Sequence, residues 1–168
     1  LNTNSYTNVG LNGNGASRIL TISNAAPAIK FFTFTNTAVC CDGMVNYEDD
    51  GAGALRNNRF LSFSGKAVVN DPDWSGMMTP TTALIKDNRF DKNGFCCDNA
   101  IELRAGFNGI VRGNFFTNNR TALYVYETVS NALIERNIFD KNGLGCNDTV
   151  GVQAGRFQWN LVKRGVGD

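Results

Sequence analysis

Along most of the chain, apolar residues alternate with polar or small ones over stretches of strand length. AIELR at 100–104, ALYVY at 122–126 and TVGVQ at 149–153 are three such runs. Each leads through a turn to a second run, such as GIVRG at 109–113 or ALIER at 132–136, and then to an Asn and a third short run. Period two over such lengths predicts β-strands, and no stretch of helical length carries helical spacing. The whole grammar recurs: LIKDNRFDKNG at 84–94 returns as LIERNIFDKNG at 133–143. Its marker Asn stands at 58, 88, 114, 137 and 160, at intervals of 30, 26, 23 and 23 residues. Phe34 extends the series back by 26 residues from Phe60, with Phe32 in the Asn position. A period in this range predicts a solenoid. At about 25 residues per coil the chain holds about six to seven coils of three short strands, stacked about 4.8 Å apart. Longer intervals then mark loop insertions, of which DPDWSGMMTPTT at 71–82 is the longest.

The repeated residues have a structural reading. Asn58, Asn88, Asn114 and Asn137 are expected to stack in one tight bend, where Asn tolerates unusual backbone angles and neighbouring amides form a ladder. The apolar residue two positions on, Phe60, Phe90, Phe116 or Phe139, would form a column inside the coil.

This grammar, seen whole in ALYVYETVSNALIERNIFDKNG (122–143), resembles the right-handed parallel β-helix, the pectate-lyase-like solenoids. LNGNGASRILTISNAAPAIKFFTFTN (11–36) is similar to passages of large secreted surface and adhesin proteins. The resemblance implies an all-β, right-handed parallel β-helix over residues 1–168, one domain that is complete in itself or a segment of a longer chain. One such fold hosts many activities.

Charge and composition narrow the partners. Lys and Arg number 16 against 15 Asp and Glu, with no basic block along the sequence, so nucleic acid is not an expected partner. No apolar run reaches membrane-spanning length. The first residues, LNTNSYTN, lack the charged start and apolar stretch of a signal peptide, as a mature chain or a fragment would. There is no His, which removes Ser-His-Asp and Cys-His catalysis and the usual zinc sites.

The five cysteines fall in three clusters, Cys40–Cys41, Cys96–Cys97 and Cys146, at the same turn before the first strand. Coils with shorter turns separate them, so the clusters are nominally about 9.6 Å apart, beyond the reach of a disulfide unless the longer turns bulge. Disulfides between coils in a secreted protein, free thiols and a metal site all remain open. An odd count leaves at least one thiol free or paired to another chain.

In the β-helices that this chain resembles, the first strand of each coil usually forms the working face. With Ile101 and Leu103 inward, the outward columns read Val45, Val69, Glu102, Tyr124, Gly151 and Tyr47, Asp71, Arg104, Tyr126, Gln153. Asp71 and Glu102 would then lie roughly 8 Å apart, within the span of an inverting glycosidase pair, with Arg104 beside them. Tyr47, Tyr124, Tyr126 and Trp74 would supply a sugar-binding surface, and a solvated face with surface ion pairs is the plainer alternative. Glu48, Asp49, Asp50 and Asp73 lie in neighbouring turns and are candidate calcium ligands, although no EF-hand spacing is present. NRT at 119–121 and NDT at 147–149 are glycosylation acceptors if the chain passes through a eukaryotic secretory route.

Two functions follow. One is an extracellular or cell-surface structural or adhesive protein that stacks end to end on copies of itself. The other is a carbohydrate-active enzyme, a polysaccharide hydrolase or lyase; a non-catalytic glycan binder lies between them. Neither requires a cofactor, and calcium is the one that the acidic turns could take.

Overall fold

Among the described residues nineteen short strands, none longer than six residues, wind into a solenoid. The computed structural model describes residues 9–14, 18–35, 43–61, 64–70, 80–95, 99–126, 129, 131–144 and 148–163. The chain enters through β1 (Val9–Asn12). The first triplet is β2 (Leu20–Ser23), β3 (Ala28–Lys30) and β4 (Phe32–Thr35). The second is β5 (Gly43–Glu48), β6 (Ala52–Arg56) and β7 (Arg59–Leu61), and the third β8 (Lys66–Asn70), β9 (Thr82–Lys86) and β10 (Arg89–Asp91). The fourth is β11 (Asn99–Leu103), β12 (Ile110–Arg112) and β13 (Phe115–Thr117), and the fifth β14 (Thr121–Val125), β15 (Leu133–Glu135) and β16 (Ile138–Asp140). β17 (Val150–Val152), β18 (Arg156–Gln158) and β19 (Leu161–Val162) close the described coils.

All pairing is parallel, every third strand joining the one below it. Three sheets result: a marker sheet of seven strands from β1 to β19, a face sheet of six from β2 to β17, and a third sheet of six from β3 to β18. The first and last strands of the six-stranded sheets are thus about five turns apart, somewhat fewer than the spacing predicts. The fold is an all-β parallel β-solenoid, and no helix of the described residues is long and apolar enough to cross a membrane.

The interior is a set of columns. Phe34, Phe60, Phe90, Phe116 and Phe139 stack in near-parallel array, with successive centroids 4.8, 4.7, 4.8 and 4.8 Å apart. All five are fully buried. Ring spacing equals strand spacing, so a column of identical side chains fills a narrow core without voids. Val45, Val68, Ile101 and Leu123 form a second column through the face sheet, and Leu55, Ile85, Val111 and Ile134 a third.

The marker Asn residues form a ladder at the bend between the third sheet and the marker sheet. The N–H and Nδ2 of Asn88 both donate to Asn114 Oδ1, at 2.9 and 3.0 Å, and Nδ2 also donates to Leu55 O at 2.9 Å. In turn Asn88 Oδ1 accepts from the N–H and Nδ2 of Asn58. The pattern repeats through Asn114, Asn137 and Asn160. The left-handed residue of the bend is not the ladder Asn, as expected from sequence, but the one before it: Asn57, Asp87, Gly113, Arg136 and Trp159, with φ of 53–66°. The ladder position needs a side chain that bridges three backbones, and the αL turn preceding it aims that side chain inward.

A second ladder, at the opposite end of the marker strands, joins Asn93, Asn119 and Asn142. Asn93 N–H and Nδ2 donate to Asn119 Oδ1 at 2.9 and 2.8 Å, and Asn119 does the same to Asn142. Left-handed Lys92, Asn118 and Lys141 precede them. Asn119, the acceptor of the NRT motif, is fully buried and its amide is spent in this ladder, which leaves no room for a sugar.

Candidate functional site

The face sheet brings Glu102, Arg104, Tyr124 and Tyr126 together. Glu102 pairs in register with Val69 on one side and Tyr124 on the other. It is not a solvent-facing acid. Its residue is 3% exposed, and its carboxylate accepts from Arg104 Nε at 2.6 Å and from Asn99 Nδ2 at 2.9 Å, with Lys66 Nζ at 3.6 Å. Two cations and an amide therefore neutralise it. A buried carboxylate is tolerated only on such terms. Sequence reasoning missed Lys66 and Asn99. The register supplies the signal, since Lys66 opens the strand below and Asn99 stands three residues before Glu102.

Tyr126 is the exposed edge of the cluster, and its ring meets that of Tyr124 edge-on at 4.9 Å. Partial burial, then the neighbouring Glu102 carboxylate, push the Tyr126 hydroxyl above its ordinary value. Tyr124 lies over Gly151 of the next coil. A Cβ there would sit 2.5 Å from Tyr124 Cδ2, so only glycine lets the ring lie down and its hydroxyl accept from Gln153 Nε2 at 2.9 Å. Together Tyr124, Tyr126, Gln153 and the half-buried Arg104 make a polar-aromatic ledge.

Tyr47 is elsewhere, which corrects the expected outward columns. Strand β5 is shifted by one residue: Val45 pairs with Val68, Asn46 with Val69 and Tyr47 with Asn70. Val45 and Tyr47 thus take inward positions and Asn46 the outward one. Met44, Val45 and Tyr47 are all buried, so their alternation held no information about which parity faces the core. Among the described residues the Tyr47 hydroxyl has no hydrogen-bond partner, and burial drives its ionisation far above the ordinary range.

Among the proposed calcium ligands, Glu48 pairs with Arg18, Asp49 Oδ2 accepts from Ser23 Oγ at 2.6 Å, and Asp50 is exposed. Among the described residues no group of three or more potential ligands converges. Asp71, Asp73, Trp74, Cys40, Cys41, Cys96, Cys97 and Cys146 lie outside the described residues, as do the proposed Asp71–Glu102 pair and every candidate disulfide.

No family model, no curated protein and no solved structure matches the chain.

Proposed function

We propose that this chain is a structural or adhesive β-helical rod of an extracellular or cell-surface assembly, which stacks end to end on further copies of itself. The observation that carries this reading is the last described coil. Phe157 and Val162 are 39% and 52% exposed there, beside half-buried Val150 and Val152, although their counterparts one coil earlier, Ile134, Phe139, Leu123 and Val125, are core. These residues line an apolar hollow of about 510 Å³. The first coil offers a complement. Continuing each sheet in register sets Val150 and Val152 beside Leu20 and Ile22, Phe157 beside Ile29, and Val162 beside Leu11, all of which belong to the apolar interior. Apolar columns and three sets of strand edges would then run on from one copy to the next, a heterologous contact that propagates. Secretion fits the paired cysteines that the sequence carries, and the neutralised Glu102 argues for packing over catalysis on the face.

Sedimentation of the 168-residue chain across a concentration series, with electron microscopy, tests the reading. Growth into rods with concentration, abolished by Phe157→Arg with Val162→Arg, is expected. A monomer at every concentration sinks end-to-end stacking.

The exposed Tyr124–Tyr126 ledge favours a second reading, non-catalytic glycan contact on the face sheet. Tyr126→Ala should then abolish retention on a polysaccharide that the native chain binds.

A further inference from the structure

We propose a binding site for a linear anionic polysaccharide, bearing carboxylate or sulfate groups, on the bend between the third sheet and the marker sheet. The cations responsible are far apart in sequence. The fold stacks them.

Lys30, Arg56, Lys86 and Arg112 are consecutive partners in register across β3, β6, β9 and β12. At about 4.8 Å per strand they make a straight column roughly 14 Å long. Past the bend, Arg59 and Arg89 pair in the same way on β7 and β10. Between the columns lies a shallow hollow of about 400 Å³, lined by Arg59, Arg89, Asp87, Gly113 and Phe115 among others. Arg89 also lies over the Phe115 ring, its guanidinium carbon 5.3 Å from the centroid.

Half of these charges are spent internally and half are not. No ion pair of the described residues uses Lys30, Arg56 or Arg59. The acids nearby are Asp87, beside Lys86 at 3.4 Å; Asp91, beside Arg89 at 3.3 Å; and Glu135, paired with Arg112. Glu135 is 3% exposed, and with Gln158 it ends the column. The hydrogen bond from Gln158 holds its carboxyl below the ordinary carboxylate range. Positive charge therefore concentrates on the first three coils of this edge. Among the described residues, Arg56 Nε and Arg112 Nε are buried without a partner, and Arg112 Nη2 pairs with Glu135.

The geometry selects the ligand class. An extended linear sugar chain advances by about one strand spacing per residue, so a glycan laid along the column meets about one cation per unit. Arginine pairs sulfate and carboxylate bidentately. This inference does not rest on the stacking reading and survives its failure.

The test is titration of the full chain with heparin, hyaluronan, neutral dextran and duplex DNA at several salt concentrations. Binding to heparin, hyaluronan or both is expected, weakening as salt rises, with none to dextran. Lys30→Ser with Arg56→Gln and Arg59→Ser should weaken it roughly tenfold or more. A control of equal charge change on other exposed cations, Lys92→Ser with Lys141→Ser and Lys163→Ser, should leave it intact. If the triple variant fails to fold, the single exposed substitutions Lys30→Ser and Arg59→Ser carry the same comparison in smaller steps. Absence of binding to both anionic glycans, equal loss in the control, or tighter binding to DNA would each overturn the proposal.

Discussion

Asn88 and Asn46 are both buried asparagines on a β-solenoid, and they fare in opposite ways. Asn88 has every side-chain hydrogen-bonding atom engaged, by coils on both sides. Asn46 is 0% exposed, and among the described residues neither its Oδ1 nor its Nδ2 has a partner. The local environments are alike; the neighbours in the stack differ. Asn88 sits between Asn58 and Asn114, whereas Asn46 sits between Thr21 and Val69. In a solenoid a buried amide is satisfied by repetition of itself. A single copy at an unrepeated position carries the full desolvation penalty.

The contrast can be broken hardest from the repeated side. Phe90→Ala opens a gap in the middle of the ring column, between Phe60 and Phe116, and should lose about 3–5 kcal/mol in urea unfolding. Asn88→Ala comes next. It leaves the Asn58 N–H without an acceptor and Leu55 O without its side-chain donor, for a loss of about 2–4 kcal/mol. Asn160→Ala should lose less, because Asn160 accepts from Asn137 and donates to Ile134 O but is only part-buried, and no further Asn of the described residues follows it. Equal losses at 88 and 160 would mean that the ladder does not act through its neighbours.

The repeat was legible from the sequence because its two markers, Asn and the Phe two residues later, are demanded by one position of the coil and tolerate few substitutes. They specified the strands, the Phe column and the first ladder's members. The second ladder carries the same signal, in DKNG, TNNR and DKNG, but NG and NN also read as ordinary turn chemistry, which hid it. Left-handed Arg136 and Trp159 were not legible at all, since neither residue type favours that region. The register of β5 was misjudged because Gly43, Met44, Val45, Asn46 and Tyr47 are all buried, so that both parities look like core. Arg56, Lys86 and Arg112 escaped notice because a charge column in a solenoid is spread over intervals of 30 and 26 residues, and a scan for basic blocks cannot see it.

From the unrepeated side the predicted changes are smaller and of opposite sign. Asn46→Leu removes the unpartnered amide and keeps its volume, and should raise stability by about 1–2 kcal/mol; a loss would mean that the amide is satisfied in solution.

Tyr47→Phe is the finest probe, because it deletes one oxygen from the same strand. That hydroxyl makes no hydrogen bond, so the substitution should be neutral or stabilising by up to about 1 kcal/mol at neutral pH. Its larger effect is on pH dependence. Burial raises the folded-state ionisation of Tyr47 well above its ordinary value of 10.0. Below that value both states keep the proton, and the contribution is fully present. Above it the unfolded chain releases the proton while the folded chain cannot, so stability falls as the solution becomes more alkaline. Unfolding free energy measured from pH 8 to pH 11 should therefore drop more steeply in the native chain than in Tyr47→Phe. Parallel curves would place the hydroxyl within reach of water, and with it the outward face of β5 that the one-residue shift removed.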